Sequence, residues 1–106
     1  MTLSNEPLSE QYRLAALEYV RLDAAATILE ESKSAVLSQE MKKLGDIPAS
    51  HAERDVKASE RWREYIEEMV TARQLAGEAK VEAEFIRMKY WEYNNAEANR
   101  RKEMGL

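Results

Sequence analysis

Apolar residues recur along this chain every three or four positions, and very little interrupts them. From the start, Leu8, Tyr12, Ala15, Tyr19, Leu22, Ala26 and Leu29 alternate steps of four and three, the spacing of a coiled-coil seam. Val36 or, after a phase shift, Leu37 carries the stripe on with Met41 and Leu44, and a second row of Leu14, Leu17, Ala24 or Ala25 and Ile28 widens it. In the second half a main row runs Ala52, Val56, Ser59, Trp62, Ile66, Val70, Arg73, Gly77, Val81, Phe85 and Met88. A flanking row runs Tyr65, Met69, Ala72, Ala76, Ala79, Ala83, Ile86, Tyr90 and Tyr93. Two adjacent stripes on each helix predict contact with more than one neighbour.

The helix breakers divide this pattern. Pro7 and Pro48 are the only prolines, and Gly45, Gly77 and Gly105 the only glycines. A first helix is expected over about residues 6–44, capped by Ser4 or Asn5 with Pro7 in its first turn. Lys42 and Lys43 suit its last turn and Gly45 its left-handed C-cap. Residues 45–50 read as a turn. Ser50 and Glu53 have capping-box spacing, so a long second helix is expected from Ser50, or slightly earlier with Asp46 as cap and Pro48 in the first turn, to about residue 104. Gly77 costs that helix about 1 kcal/mol relative to Ala, and marks either a kink or a place where another helix approaches closely.

The fold class that follows is all-α: an antiparallel helical hairpin or coiled coil with a long second helix, forming one domain over residues 1–106. A lone two-helix hairpin buries little core, so a homo-oligomeric bundle is expected. Leu22, Leu29, Trp62, Ile66, Val70, Val81 and Phe85 are the residues expected at the hairpin or oligomer interface. The second helix outruns the first, so roughly its last fifteen residues, with Trp91, Tyr93 and the basic tail, are expected to overhang.

Composition narrows the function classes. The chain has 106 residues, 16 Lys+Arg against 20 Asp+Glu and a net charge of −4. The absence of cysteine excludes a disulfide scaffold and thiolate metal sites, and fits a cytoplasmic protein. No apolar run approaches the roughly 18 residues that span a bilayer, and the N-terminus lacks a signal-peptide layout. Three scattered glycines cannot build a phosphate-cradling loop. His51 stands alone in the second helix's cap region, without the partners that a metal site or a catalytic base requires. The pairs Glu30-Glu31, Glu67-Glu68 and Glu82/Glu84 read as solvated helix face rather than acid–base carboxylates. The expectation is therefore no enzyme, no cofactor, no metal and no membrane insertion; too few cations remain for a membrane-surface role.

Two charged features stand out. Glu64, Glu67 and Glu68 repel one another unless a partner brings cations. Arg73 lies on the main apolar row, where its stem packs and its head snorkels, or where it sets the hairpin register by pairing with Glu18 or Asp23.

The C-terminal segment carries the strongest functional signal. From Phe85 to Tyr93 aromatic residues interleave with Arg87 and Lys89, and Arg100, Arg101 and Lys102 follow. Residues 85–106 hold five bases and three acids, against six and nine in residues 50–84. Basic side chains track phosphates and aromatic faces stack on unpaired bases, a composition that suits single-stranded nucleic acid. The same residues also fit interface packing and satisfaction of the helix C-terminus.

The run Ala72-Arg73-Gln74-Leu75-Ala76-Gly77-Glu78-Ala79, continuing through Val81-Glu82-Ala83-Glu84-Phe85-Ile86-Arg87 to Tyr90-Trp91-Glu92-Tyr93-Asn94-Asn95-Ala96, resembles small helical accessory proteins of phage recombination operons. It is loosely similar to the phage recombination mediators that load a recombinase on single-stranded DNA. The resemblance implies a cytoplasmic, oligomeric helical accessory protein whose partners are single-stranded DNA and a recombination or replication protein. On that reading Arg87, Lys89, Tyr90, Trp91, Arg100, Arg101 and Lys102 engage DNA. The alternative is a protein-interaction or scaffold module without nucleic-acid binding, docking through Tyr90, Trp91 and Tyr93.

Overall fold

The computed structural model describes residues 6–105. These residues form four helices and no strand: α1 Leu8–Glu31, α2 Lys33–Lys42, α3 Ala49–Lys57 and α4 Glu60–Glu103. The fold is the all-α helical hairpin with a long second helix that the apolar pattern predicts. Ser4 and Asn5, the expected caps, lie outside the described residues. Pro7 precedes α1 instead of occupying its first turn, and its carbonyl accepts the Gln11 N–H at 2.9 Å.

Each of the two long helices expected from sequence is divided once, at a serine rather than at a glycine. Between α1 and α2, Ser32 sits at φ −84°, ψ −6°. Its N–H still reaches the Ile28 carbonyl at 3.0 Å and its carbonyl accepts the Val36 N–H at 2.9 Å, so little hydrogen bonding is lost there. The second division is sharper. α3 closes at Ala58, and Ser59 caps α4 by accepting the Trp62 N–H on its hydroxyl oxygen at 3.2 Å. The same hydroxyl donates to the Val56 carbonyl at 2.6 Å, so one side chain serves the end of one helix and the start of the next. Gly77 interrupts nothing, because α4 is helical on both sides of it.

The connection follows its turn chemistry. Gly45 adopts φ +88°, the left-handed conformation at which a helix C-terminus favours glycine, and its N–H bonds the Lys42 carbonyl at 3.2 Å. The Ser50–Glu53 capping box does not form. α3 starts at Ala49, with the Pro48 carbonyl receiving the N–H groups of His51 and Ala52 at 3.0 Å each.

Two compact units divide the chain. In the unit of residues 22–76, α2 and α3 pack on each other around the loop. Ala52, Val56 and Trp62 are buried, Trp62 stacks on Tyr65 with ring centroids 5.7 Å apart, and Arg61 reaches Glu40 at 2.8 Å. The Tyr65 hydroxyl donates to the Leu29 carbonyl, while Arg73 meets Asp23 at 2.6 Å. Those pairings advance along one helix as they retreat along the other, so the helices of this unit run antiparallel. Ala26 and Ala76 are fully buried, and Leu22, Leu29, Ile66, Met69 and Ala72 are half-buried.

In the other unit, residues 6–21 with 77–105, Ala83 and Ile86 are buried and Ala15, Ala16, Tyr19 and Ala79 half-buried. Pro7, Leu8 and Gln11 border one groove with Lys89, Tyr90 and Tyr93. The start of the first helix therefore reaches Tyr93, one of the residues expected to overhang.

The two apolar rows of α4 exchange roles beyond Ile66. Trp62 and Ile66 face inward as expected, but Val70, Val81, Phe85 and Met88 of the main row are all more than half exposed. The row that packs is Trp62, Tyr65, Met69, Ala72, Ala76, Ala79, Ala83 and Ile86. Its steps alternate three and four, averaging 3.5, the period that stays against a supercoiled neighbour. The main row steps mostly by four and drifts around the helix into solvent. Val70, Val81 and Phe85 are thus not part of the intrachain hairpin packing. On α1 the second row likewise points outward, with Leu14, Leu17 and Ile28 exposed.

Candidate functional site

The candidate site is the C-terminal half of α4, where all eight nominated residues are exposed. The helix separates them, because each residue turns the direction of projection by about 100°. Arg87, Trp91 and Arg101 share one face with Lys102 beside them. Lys89, Tyr93 and Arg100 project from the opposite side, toward the packed seam, and Tyr90 lies between the two sets.

The second set is already occupied within the chain. Lys89 and the two tyrosines border the groove at the start of α1. The Lys89 ammonium also stands 5.3 Å from the Phe85 ring centroid, and Arg100 pairs with Glu97 at 2.6 Å. Arg87, Arg101 and Lys102, in contrast, make no ion pair among the described residues.

Helical spacing adds residues to the first set that composition did not single out. Asn94 and Ala98 continue the rhythm of Arg87 and Trp91 toward Arg101, in steps of four, three, four and three, with Asn95 alongside. All are exposed, and Glu92, Glu97 and Glu103 project from other parts of the helix surface. Asn99 turns away with Glu92 and Glu103. The signal lies in the sequence: Asn94 stands one heptad after Arg87 and one heptad before Arg101. The result is a carboxylate-free face about 22 Å long from Arg87 to Lys102, combining three cations, an indole 59% exposed and two amides. Cations and amides offer hydrogen bonds to anionic oxygens, and the indole offers a flat stacking surface. The methyl side chain of Ala98 keeps the middle of the face low, so an extended ligand can lie close to the helix there.

The remaining candidates lie in the other unit. Glu64, Glu67 and Glu68 rim a groove floored by Leu22, Ala25, Leu29, Ala72 and Leu75. Arg63 stands 3.8 Å from Glu67 and bonds Glu60 more closely, at 2.5 Å. Arg73 takes the pairing alternative. It binds Asp23 at 2.6 Å and Glu30 at 2.7 Å, with Thr27 accepting at 3.2 Å, while Glu18 is engaged by Arg21 at 2.6 Å. Arg73 holds the Glu30 carboxyl below its ordinary pKa through those hydrogen bonds, and the Arg73 guanidinium is itself raised by Glu30 and Asp23. His51 is exposed, and among the described residues no group of three or more His, Asp or Glu side chains is arranged to hold a metal ion. Nor is any described helix long and apolar enough to cross a membrane.

No protein-family model, curated protein or solved structure matches this chain.

Proposed function

We propose that this chain is a non-enzymatic, self-associating helical accessory protein of the cytoplasm that binds single-stranded DNA, in the manner of the phage recombination mediators that its sequence resembles. The observation that supports this reading is the carboxylate-free face of α4, on which Arg87, Trp91, Asn94, Ala98 and Arg101 recur at helical spacing with Asn95 and Lys102 beside them. Cations without intrachain partners release counterions when they meet phosphates, and an exposed indole stacks on bases of any sequence. Sequence-tolerant binding is what a protein that assists a recombinase on single strands requires. The chain's net charge of −4 does not oppose this, because the acids of residues 87–102 project from other parts of the α4 surface. Self-association would set several such faces side by side and raise avidity without new contacts.

The test is a titration with single-stranded oligonucleotide at low and at physiological salt, following tryptophan fluorescence. Trp62 is buried and Trp91 exposed, so a change caused by the ligand arises at Trp91. The expected result is quenching that weakens steeply with salt and vanishes in Trp91→Ala. An unaltered spectrum at low salt would overturn DNA binding and leave the protein-docking alternative, in which Trp91 inserts into a partner protein.

A further inference from the structure

We infer that the groove between α1 and α4 in the unit of residues 22–76 binds a cationic amphipathic helix of another protein. Leu22, Leu29 and Leu75 lie on its floor, and Glu64, Glu67 and Glu68 stand along its α4 edge. From Glu64 to Leu75 the groove runs about 16 Å, three helical turns. Two antiparallel helices that share an apolar furrow offer a seat to a third, whose own apolar face fills it. The inference goes beyond the DNA reading and uses none of its contacts.

Charge selects the occupant. Among the described residues the groove is lined by three carboxylates and no base. Its α1 wall, residues 22–31, carries Asp23, Glu30 and Glu31 but no Lys or Arg. Its α4 wall, residues 64–75, has one base, Arg73, which is committed to Asp23 and Glu30. Arg73 also leaves α4 about 140° around from Glu68, on the opposite edge. Arg63 gives its short contact, 2.5 Å, to Glu60 and stands 3.8 Å from Glu67. Toward α2 the groove continues into one that shares Glu64 and Glu68, where Lys43 and Arg61 both bond Glu40, at 2.7 and 2.8 Å. With that extension included, four carboxylates still face two bases.

Glu64 and Glu68 have no ion-pair partner among the described residues, and at a spacing of four they repel each other. A helix with Lys or Arg four residues apart, beside its apolar row, meets both carboxylates while its apolar side chains reach the leucines of the floor. The acids steer and orient such a helix, and the apolar contact holds it. The same acids repel phosphates, so this groove and the cationic face of α4 take different ligands.

The probe is a synthetic peptide of leucine and lysine, about five helical turns long, with its leucines on one face and lysines four apart beside them. Labelled with a fluorophore, it is titrated with the full chain and followed by anisotropy. It should bind at physiological salt, and Glu64→Gln with Glu68→Gln should weaken it roughly tenfold. Glu82→Gln with Glu84→Gln removes the same charge from exposed α4 positions outside the groove and should leave binding unchanged. Ala25→Arg puts a base on an exposed position of the α1 wall and should abolish binding with helix content kept. Failure of the peptide to bind overturns the inference. So does equal weakening by the two glutamine pairs, or equal binding of a peptide of the same composition whose leucines are spread around the helix. If light scattering shows the unliganded chain falling to a smaller assembly on Glu64→Gln with Glu68→Gln, a second copy fills the groove and the inference fails as well. These readouts contain no DNA: a chain that takes the peptide yet ignores oligonucleotide refutes only the DNA reading, and one that binds oligonucleotide but not the peptide refutes only this groove.

Discussion

Arg73 grips the Glu30 carboxylate side-on, with Nε donating to one oxygen at 2.9 Å and Nη2 to the other at 2.7 Å. Its third nitrogen donates to Asp23 at 2.6 Å, so a single guanidinium joins two acids seven residues apart on α1. Sliding the helices by one heptad would separate Arg73 from one acid or the other, which makes this fork a register device. Removing it by Arg73→Ala should lower the thermal midpoint followed by circular dichroism. Arg73→Lys should recover only part of the loss, because an ammonium is a point charge that cannot hold both oxygens and Asp23 together. Full recovery by lysine would show that charge alone matters and that the planar fork does not.

The same contacts set an acid limit to stability. Glu30, Glu10 and Glu40 are each held below the ordinary carboxyl value of 4.5, chiefly by hydrogen bonds from Arg73, Arg13 and Lys43 respectively. A carboxylate depressed in the folded state adds stability above its unfolded pKa, and that stability disappears as pH falls through the lower folded value. The urea midpoint should therefore hold steady from neutrality to the ordinary carboxyl range and fall below about 4.5. Arg73→Ala should make that acid slope shallower by removing the contribution of Glu30.

Sequence carried the seam of α1 nearly residue for residue, because its steps alternate four and three over its whole length, while the second row of Leu14, Leu17 and Ile28 stays exposed. On α4 two rows of similar hydrophobicity compete. The one with the larger side chains, Val70, Val81, Phe85 and Met88, looks like a core by transfer energy, yet its period drifts away from a neighbour. The alanine-rich row holds the 3.5 period and lets backbones approach, so it packs. The division at Ser59 was hidden for a different reason. Serine ends helices through one side-chain hydrogen bond, which no apolar periodicity reveals. For the candidate site, composition located the basic and aromatic segment, but only the helix geometry separates Arg87, Trp91 and Arg101 from Lys89 and Arg100 and brings in Asn94 and Asn95.

Ser59 gives a direct check of the division between α3 and α4. Ser59→Ala removes the acceptor of the Trp62 N–H and should cost about 1 kcal/mol in urea unfolding, within a range of roughly 0.5–2. Ser59→Asp can still accept that N–H but cannot donate to the Val56 carbonyl, so it should recover only part of the stability. Alanine as stable as wild type would mean that the two helices join without a cap.

Salt dependence discriminates between the two faces of the α4 tip. Each phosphate neutralised on a single strand steepens the logarithmic salt dependence of binding by about 0.7. Arg101 and Lys102 lie on the carboxylate-free face, so replacing both by alanine should flatten the slope by about 1.4 if each meets a phosphate. Arg100 projects from the other side and is already paired with Glu97, so Arg100→Ala should leave the slope close to wild type. Replacing Asn94 and Asn95 by alanine should weaken binding at every salt concentration with the slope unchanged, because neutral amides release no counterions. Equal effects from Arg100 and Arg101 would show that strand attraction follows total charge at the tip, and not the one face on which the tryptophan, two asparagines and unpaired cations line up.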